Sequence, residues 1–279
     1  MNYDPADTAV VFTDPQNDVL SPNGKNWGVL GASVTENKTV ENMLSIFRAA
    51  KAGKFSVFIS PHYFYPTDTR WQFNGPLETG EFQTGTFART GALNLSGFQK
   101  SGADWLEEFK PFIDDGETIV VSPHKVFGPQ TNDLTLQLRK RNVQKVVLGG
   151  MLANMCVEAH LRDLIEQGFE VAVVADATAG PCAGQPRVHR GRSDATPNSE
   201  RGGNHAFNRF IEDYRRPCGQ RRIDGRVSIW RKADWRKLRW KIPKAAYSSA
   251  LDCRTDSNGR CEERHRRPNV VRRAQANDA

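Results

Sequence analysis

Five short runs of apolar, mostly β-branched residues are spaced along the first 180 residues of the chain. They occupy residues 9–12, 57–59, 118–121, 146–148 and 171–174. Each run is nearly continuous in apolar residues and does not alternate with polar ones. This pattern is typical of strands that are buried on both faces, as in a parallel sheet.

Apolar residues at helical spacing separate these runs. The spacing predicts helices around residues 40–53, 101–109, 134–138 and 157–168. Ser101 with Asp104 is an N-cap signal for the second of them, and Gly53 and Gly168 are stop signals for the first and last. Strands that alternate with helices predict an α/β fold, a doubly wound, mainly parallel sheet in a three-layer α/β/α arrangement.

The charge of the chain changes sharply near Gly180. Residues 1–180 carry a net charge of −6, whereas residues 181–279 carry +13 and four of the five cysteines. We therefore predict an α/β domain over residues 1–180 and an atypical, arginine-rich, basic region over residues 181–279. No run of about 18 apolar residues and no basic-then-apolar leader occur, so we expect no membrane span and a cytoplasmic protein.

Three ionisable side chains follow the ends of predicted strands. Asp14 follows the first strand, Lys125 follows the third, and Cys156 follows the fourth and opens a helix. Ligands of open α/β sheets bind beyond the carboxyl ends of the strands. We therefore expect the three side chains to gather at one edge of the sheet.

The three residue types suit acyl transfer through a thioester. A helix N-terminus and a lysine ammonium would favour the thiolate of Cys156, and Asp14 would take the thiol proton and return it to a leaving amine. Each residue also has a structural interpretation. A cysteine after a buried strand packs, an aspartate at a strand end caps a turn, and a lysine there is solvated.

The motifs around these residues resemble the isochorismatase-like cysteine hydrolases, a superfamily that includes nicotinamidases and N-carbamoylsarcosine amidases. The resemblance spans residues 6–180 and rests on VVFTDPQND, SPHKVFGPQTNDL and GGMLANMCVEAHLRDLIEQG. It implies a hydrolase of C–N bonds in a small amide-type substrate. Cys156 would be the nucleophile, Asp14 the base and Lys125 the electrostatic partner.

The resemblance implies further features of the site. A cis peptide would join Met151 to Leu152, and the N–H groups of Leu152 and Cys156 would form the oxyanion hole. We expect the substrate pocket to include five side chains: Gln16, His62, Tyr65, Trp71 and Asn154. The resemblance also implies a homodimer or a larger homo-oligomer, of a number that the sequence does not fix.

The sequence departs from the nicotinamidase branch at the metal site. That branch binds a metal through an Asp-x-His pair after the second strand, whereas this chain has Ser60-Pro61-His62. No second histidine follows before His124, and one histidine alone does not hold zinc. We therefore predict no metal site and no cofactor, and assign His62 to the pocket or to the scaffold.

Aromatic residues crowd the long segment between the second and third strands, where His62–Pro66 and 70–73 are dense in rings. One interpretation is a pocket lid over a flat or apolar substrate, and the other is a loop pinned by aromatic packing. Arg89 meets a substrate carboxylate under the first interpretation and lies on the surface under the second.

The region after Gly180 lacks the last helix and strand that the resemblance implies. It is a basic arm that binds nucleic acid or an acidic partner, a metal-binding segment with Cys253, Cys261 and His265, or a shifted reading frame fused to a hydrolase. Within it, Phe207, Phe210 and Ile211 have the spacing of one helical turn, and residues 227–230 have the pattern of a short strand. We favour the shifted frame, and expect an uncovered fifth strand unless tail residues replace the missing one. The alternative function is a catalytically impaired member whose basic tail binds nucleic acid or acidic partners.

Overall fold

The computed structural model describes residues 3–181, together with the backbone of the tail segments 222–223 and 227–230. The strands are β1 (Thr8–Thr13), β2 (Ser56–Ser60), β3 (Ile119–Val120), β4 (Lys145–Met151), β5 (Glu170–Ala179), β6 (Arg222–Ile223) and β7 (Val227–Trp230). The helices are α1 (Asn17–Leu20), α2 (Trp27–Asn37), α3 (Thr39–Ala52), α4 (Pro76–Thr84), α5 (Lys110–Ile113), α6 (Leu134–Lys140) and α7 (Cys156–Glu166). Short 3₁₀ turns lie at Asp68–Arg70, Glu107–Phe109 and Pro129–Thr131.

Five parallel strands form the centre of the sheet in the order β3-β2-β1-β4-β5. This confirms the predicted α/β fold and all five predicted strands. Every residue of β1 is buried, as its continuous apolar run predicts. Because all five strands run the same way, their carboxyl ends meet at one edge.

Helices cover both faces of the sheet, and alternate residues of β1 feed two separate cores. Val10 and Phe12 belong to the core that includes residues of α2 and α3. Ala9 and Val11 belong to the core that includes residues of α6 and α7. Two apolar faces on one sheet give the predicted three-layer arrangement.

The helices agree with the sequence pattern in three of four places. The patterns around 40–53, 134–138 and 157–168 correspond to α3, α6 and α7. The helix predicted from Ser101 is wrong, because the carboxylate of Asp104 accepts hydrogen bonds from the N–H groups of Lys100 and Trp105. The helical turns begin only at Glu107. Helices α2 and α4 were not predicted.

The outer edge of β5 is paired by backbone from the tail. Strand β7 runs parallel to β5, with Val171 opposite Val227 and Val174 opposite Trp230, and β6 pairs antiparallel with β7. Tail residues therefore replace the missing strand, which is the exception that the expectation of an uncovered edge allowed, and the short strand predicted at 227–230 is confirmed. The helical turn considered at Phe207–Ile211, the Cys253–His265 group and the rest of the basic region lie outside the described residues.

No helix in the described part of the chain is both long and apolar enough to cross a membrane.

Gly150 allows β1 and β4 to approach closely beside the site. Its φ is +112°, and a Cβ atom there would lie 2.1 Å from the carbonyl oxygen of Thr13. The hydroxyl of Thr13 in turn donates to the carbonyl of Met151 at 2.8 Å. The glycine therefore sets how closely the chain after β1 approaches the chain after β4.

Candidate active site

Asp14 and Cys156 meet at the carboxyl edge of the sheet. Asp14 is the first residue after β1, and Cys156 is the first residue of α7, after β4. Both are almost fully buried, and the sulfur of Cys156 lies within 4.8 Å of a carboxylate oxygen of Asp14 and 3.8 Å from the carbonyl oxygen of Val126. Asp14 has a φ of +48°, a left-handed conformation that non-glycine residues rarely adopt and that is frequent at functional sites.

The thiol of Cys156 is protonated, which corrects the expectation of a stabilised thiolate. Burial, and then the carboxylate of Asp14, raise the pKa of the thiol well above its ordinary value. Burial also raises the pKa of Asp14 to about 6, with the opposing effects of His62 and His160 smaller. At neutral pH the pair is therefore a thiol beside a carboxylate that is ready to accept its proton.

His124, and not Lys125, is the group that hydrogen-bonds to Asp14. Its Nε2 lies 2.8 Å from Asp14 Oδ1, and its ring is fully buried. Burial lowers the pKa of His124 to about 3, so its imidazole is neutral and Nε2–H donates to the carboxylate. Its Nδ1 is buried without a hydrogen-bond partner among the described residues.

The ammonium of Lys125 makes its contacts elsewhere. Its Nζ lies 2.5 Å from Asp68 Oδ2 and 3.0 Å from the carbonyl oxygen of Tyr63, and it stands 4.0 Å from the centre of the Tyr65 ring. The predicted placement of an ammonium beside the thiol does not match these contacts. The physical reason is local, since a bridge to His62 holds His124 at the site and the chain bends at Lys125, the next residue.

His62 lies in the buried cluster together with a second histidine. The prediction of no metal site rested on His62 being alone, and this reason does not hold. The segments of His62 and His124 form a parallel bridge, and their ring centres are 4.6 Å apart. Asp14, His62, His124 and Cys156 each present one donor atom, and these four atoms lie within 4.8 Å of one another. A second histidine, 62 residues along the chain, therefore accompanies His62.

His160 ties helix α7 to the sheet behind the thiol. Its Nδ1–H donates to the carbonyl of Cys156 at 2.7 Å, and its Nε2 accepts from the hydroxyl of Ser60 at 2.8 Å. The same hydroxyl accepts from the side-chain amide of Asn132 at 2.9 Å. This chain of hydrogen bonds fixes the first turn of α7 relative to β2.

Backbone N–H groups surround the sulfur as the resemblance implied. The peptide between Met151 and Leu152 is cis. The N–H of Leu152 donates to the sulfur of Cys156, and the N–H of Cys156 belongs to the first turn of α7, where N–H groups have no acceptor within the helix. Both predicted oxyanion donors therefore lie next to the thiol.

The remaining predicted pocket residues fall into different environments. The amide of Gln16 is wholly engaged with the backbone, donating to the carbonyls of His62 and Ala103 and accepting from the N–H of His62, so it is a scaffold residue. The ring of Trp71 packs against Phe64 and Phe82. Tyr65 lines a cavity, and Asn154 Oδ1 is buried without a hydrogen-bond partner among the described residues.

The cavity beside Tyr65 encloses about 280 Å³ and is lined by aromatic rings and two ionisable side chains, Glu81 and Arg89. Glu81 Oε2 and Arg89 Nε are buried and have no hydrogen-bond partner among the described residues. Burial, and then the charge of Asp14, raise the pKa of Glu81 to about 8, so its carboxyl is neutral at pH 7. The guanidinium of Arg89 lies 4.6 Å from the ring centres of Tyr63 and Phe98.

Sequence reasoning missed His124, His160 and Glu81. His124 precedes Lys125 directly, and His160 follows Cys156 by four residues, which places it on the same face of α7. Those spacings were usable signals. The sequence gives no such signal for Glu81, because this residue lies on α4, whose apolar residues follow no helical period.

Comparison with known proteins identifies the family of this chain. The family model described as the Isochorismatase domain matches residues 8–187. An uncharacterised isochorismatase family protein, YddQ of Bacillus subtilis, is 28% identical over 62% of this chain and 77% of its own length. The ureidoacrylate amidohydrolase RutB of Acinetobacter baylyi is 29% identical over 67% of this chain and 75% of its own length.

Solved structures give the same fold. An isochorismatase family protein from Desulfovibrio vulgaris aligns with a TM-score of 0.53 at 16% identity, covering 83% of this chain and 97% of that one. A cysteine hydrolase from Pseudomonas syringae aligns with a TM-score of 0.52 at 19% identity, covering 68% and 80%. With a family match over more than half of its length and the matching fold, this chain belongs to the isochorismatase family of hydrolases.

Proposed function

We propose that the protein hydrolyses a C–N bond of a small amide-type substrate through a thioester on Cys156. The observation that carries this proposal is the burial of the Cys156 thiol beside the Asp14 carboxylate, with the sulfur and a carboxylate oxygen within 4.8 Å of each other. A thiol that is protonated at rest needs a base at the moment of attack, and Asp14 is in position to act as one. The name of the RutB relative, an amidohydrolase, supports the same class of reaction.

The proposed reaction uses the thiol of Cys156, the carboxylate of Asp14, two backbone N–H groups and one water molecule. The sulfur attacks the substrate carbonyl while its proton passes to Asp14, and the tetrahedral oxyanion is held by the N–H groups of Leu152 and Cys156. Asp14 then protonates the leaving amine as the C–N bond breaks. Water attacks the thioester, gives a proton to Asp14, and the carboxylic acid leaves as the thiol re-forms.

The contacts support His124 in the role that the resemblance gave to Lys125. A neutral imidazole that donates to Asp14 Oδ1 holds one carboxylate oxygen and leaves the other for the thiol. Lys125, bonded to Asp68 and to the carbonyl of Tyr63, secures the segment that carries Tyr65. We therefore propose His124 as a positioning residue for the base and Lys125 as a support of the pocket wall.

The cavity with Glu81 and Arg89 is the proposed substrate pocket. A neutral carboxyl group donates or accepts a hydrogen bond, and a guanidinium recognises a carboxylate. Phe64, which lines the cavity, packs against His62 with their ring centres 4.7 Å apart, so the cavity borders the buried cluster. Together with its aromatic walls, the cavity suits a small, flat molecule that carries an amide or ureido group and a carboxylate.

The test compares Cys156→Ala with a tail variant in which Cys182, Cys218, Cys253 and Cys261 are all changed to Ser. Ammonia release is measured over a panel of primary amides and ureido acids. We expect Cys156→Ala to lose about 1,000-fold or more in kcat/KM, whereas the tail variant keeps its activity. Mass spectrometry of the quenched reaction should find acyl-Cys156. Hydrolysis that survives Cys156→Ala would rule out the thioester route.

A further inference from the structure

The cluster of Asp14, His62, His124 and Cys156 has the composition of a transition-metal site. It offers two imidazole nitrogens, one sulfur and one carboxylate oxygen, all buried and within 4.8 Å of one another. Zinc in proteins takes four such donors in a tetrahedral arrangement, at about 2.0–2.3 Å from each. Donors around such an ion are about 3.3–3.8 Å apart, so side-chain shifts of about 1 Å complete the site.

The free lone pairs of the two histidines favour a bound cation. His62 Nε2 lies 2.6 Å from the carbonyl oxygen of Lys125, so this nitrogen carries the proton and Nδ1 carries the lone pair. His124 Nε2 faces Asp14 at 2.8 Å, and its buried Nδ1 has no hydrogen-bond partner within the described residues. The ring proton of His124 therefore moves to Nδ1 when a cation takes the lone pair of Nε2, and each of the two rings offers one nitrogen to the ion.

Charge balance argues for a divalent ion. With both imidazoles neutral, the carboxylate of Asp14 and a thiolate at Cys156 supply two negative charges, and a divalent cation makes the buried assembly neutral overall. A single carboxylate oxygen among softer donors disfavours magnesium and calcium, which take mostly oxygen ligands. The donor set therefore selects zinc and chemically similar ions.

We propose that Asp14, His62, His124 and Cys156 bind a zinc-like divalent metal ion, and that the bound ion takes the Cys156 sulfur as a ligand. On binding, the S–H bond breaks, the proton leaves to solvent and a metal–sulfur bond forms. A sulfur held by metal is not available to attack a carbonyl or an alkylating reagent. The metal-bound and acylated states of Cys156 therefore exclude each other, and zinc acts as a reversible inhibitor.

The first experiment measures metal binding without reference to activity. The full chain, with the four tail cysteines changed to Ser, is titrated with Co²⁺ alone and then with Zn²⁺. We expect one Co²⁺ per chain with a thiolate-to-cobalt charge-transfer band that Zn²⁺ displaces. In the same background, His62→Asn and His124→Asn should each weaken binding by more than about tenfold. His265→Gln, in the tail, is the matched control and should bind as the parent does.

The second experiment needs no substitution at the cluster. Zn²⁺ should slow alkylation of Cys156 by iodoacetamide, and a chelator should restore the original rate. Binding without the thiolate band, binding that both histidine variants leave unchanged, or alkylation indifferent to Zn²⁺ would each overturn the proposal. Failure of the proposed function gives a different result. Metal-free protein would then hydrolyse none of the amides in the panel, while cobalt binding would be unchanged.

Discussion

Asp14 is the residue at which most contacts of the candidate site converge. Its carboxylate accepts from His124 and lies within 4.8 Å of the Cys156 sulfur, and its backbone N–H donates to the carbonyl of Ser60 at 3.1 Å. Its left-handed φ is held by this set of contacts. The sequence correctly predicted that Asp14 and Cys156 meet, because both follow ends of neighbouring parallel strands.

Gly150 gives a prediction at the scale of one residue. Gly150→Ala places a Cβ 2.1 Å from the carbonyl oxygen of Thr13 at a φ of +112°. We expect it to lower the free energy of unfolding by about 3 kcal/mol or more, as measured by urea denaturation. Gly28→Ala is the control, since a Cβ there meets nothing within 4 Å on an exposed helical position, and it should be neutral or stabilising. Equal stability of the two variants would contradict the close approach of β1 and β4.

At the scale of elements, strand and helix prediction succeeded where the pattern was long and failed where side chains competed. The apolar runs of β1 and β4 and the stripe of α7 were confirmed. Asp104 instead bonds to local backbone and to Lys110, which removes it as a helix cap. Helix α4 has no fully buried residue and its Glu81 is only partly buried, so no apolar stripe marks the helix in the sequence.

Strand β7 gives a prediction at this scale. Ser228→Pro removes a backbone N–H from a strand that pairs on both sides, with Ala172 of β5 and with Arg222 of β6. We expect a loss of unfolding free energy of about 2 kcal/mol and faster aggregation, because the edge of β5 is then uncovered. Ser228→Thr keeps the N–H and is the control. A proline variant as stable and as monodisperse as the parent would show that β5 does not depend on β7.

Burial of Glu81 makes the free energy of unfolding of the whole molecule depend on pH. The pKa of this carboxyl is about 8 in the folded protein against an ordinary value of 4.5, because burial penalises its charged form. The folded chain therefore keeps a proton that the unfolded chain releases between these values. The contribution of Glu81 is least unfavourable below about pH 4.5 and destabilises the fold increasingly as the pH rises toward 8.

Glu81→Gln tests this dependence on pH. The variant should gain unfolding free energy relative to the parent as the pH rises from 5 to 8.5, by a difference of about 4 kcal/mol over that range. Denaturation at several pH values measures it, and Glu36→Gln on the exposed face of α2 is the control. A difference between variant and parent that stays flat with pH would mean that Glu81 is ionised in the folded protein.

The amino-acid sequence by itself determined the sheet, its two buried faces and the meeting of Asp14 with Cys156. These follow from the period of apolar residues and from chain order, which are local and sequential properties. Only the tertiary structure decided that His124 and not Lys125 bonds to Asp14, since the bridge between His62 and His124 joins segments that are distant in the sequence. It also decided that the thiol is protonated and that His62 has a partner histidine, because desolvation and contacts between distant segments exist only once the chain has folded.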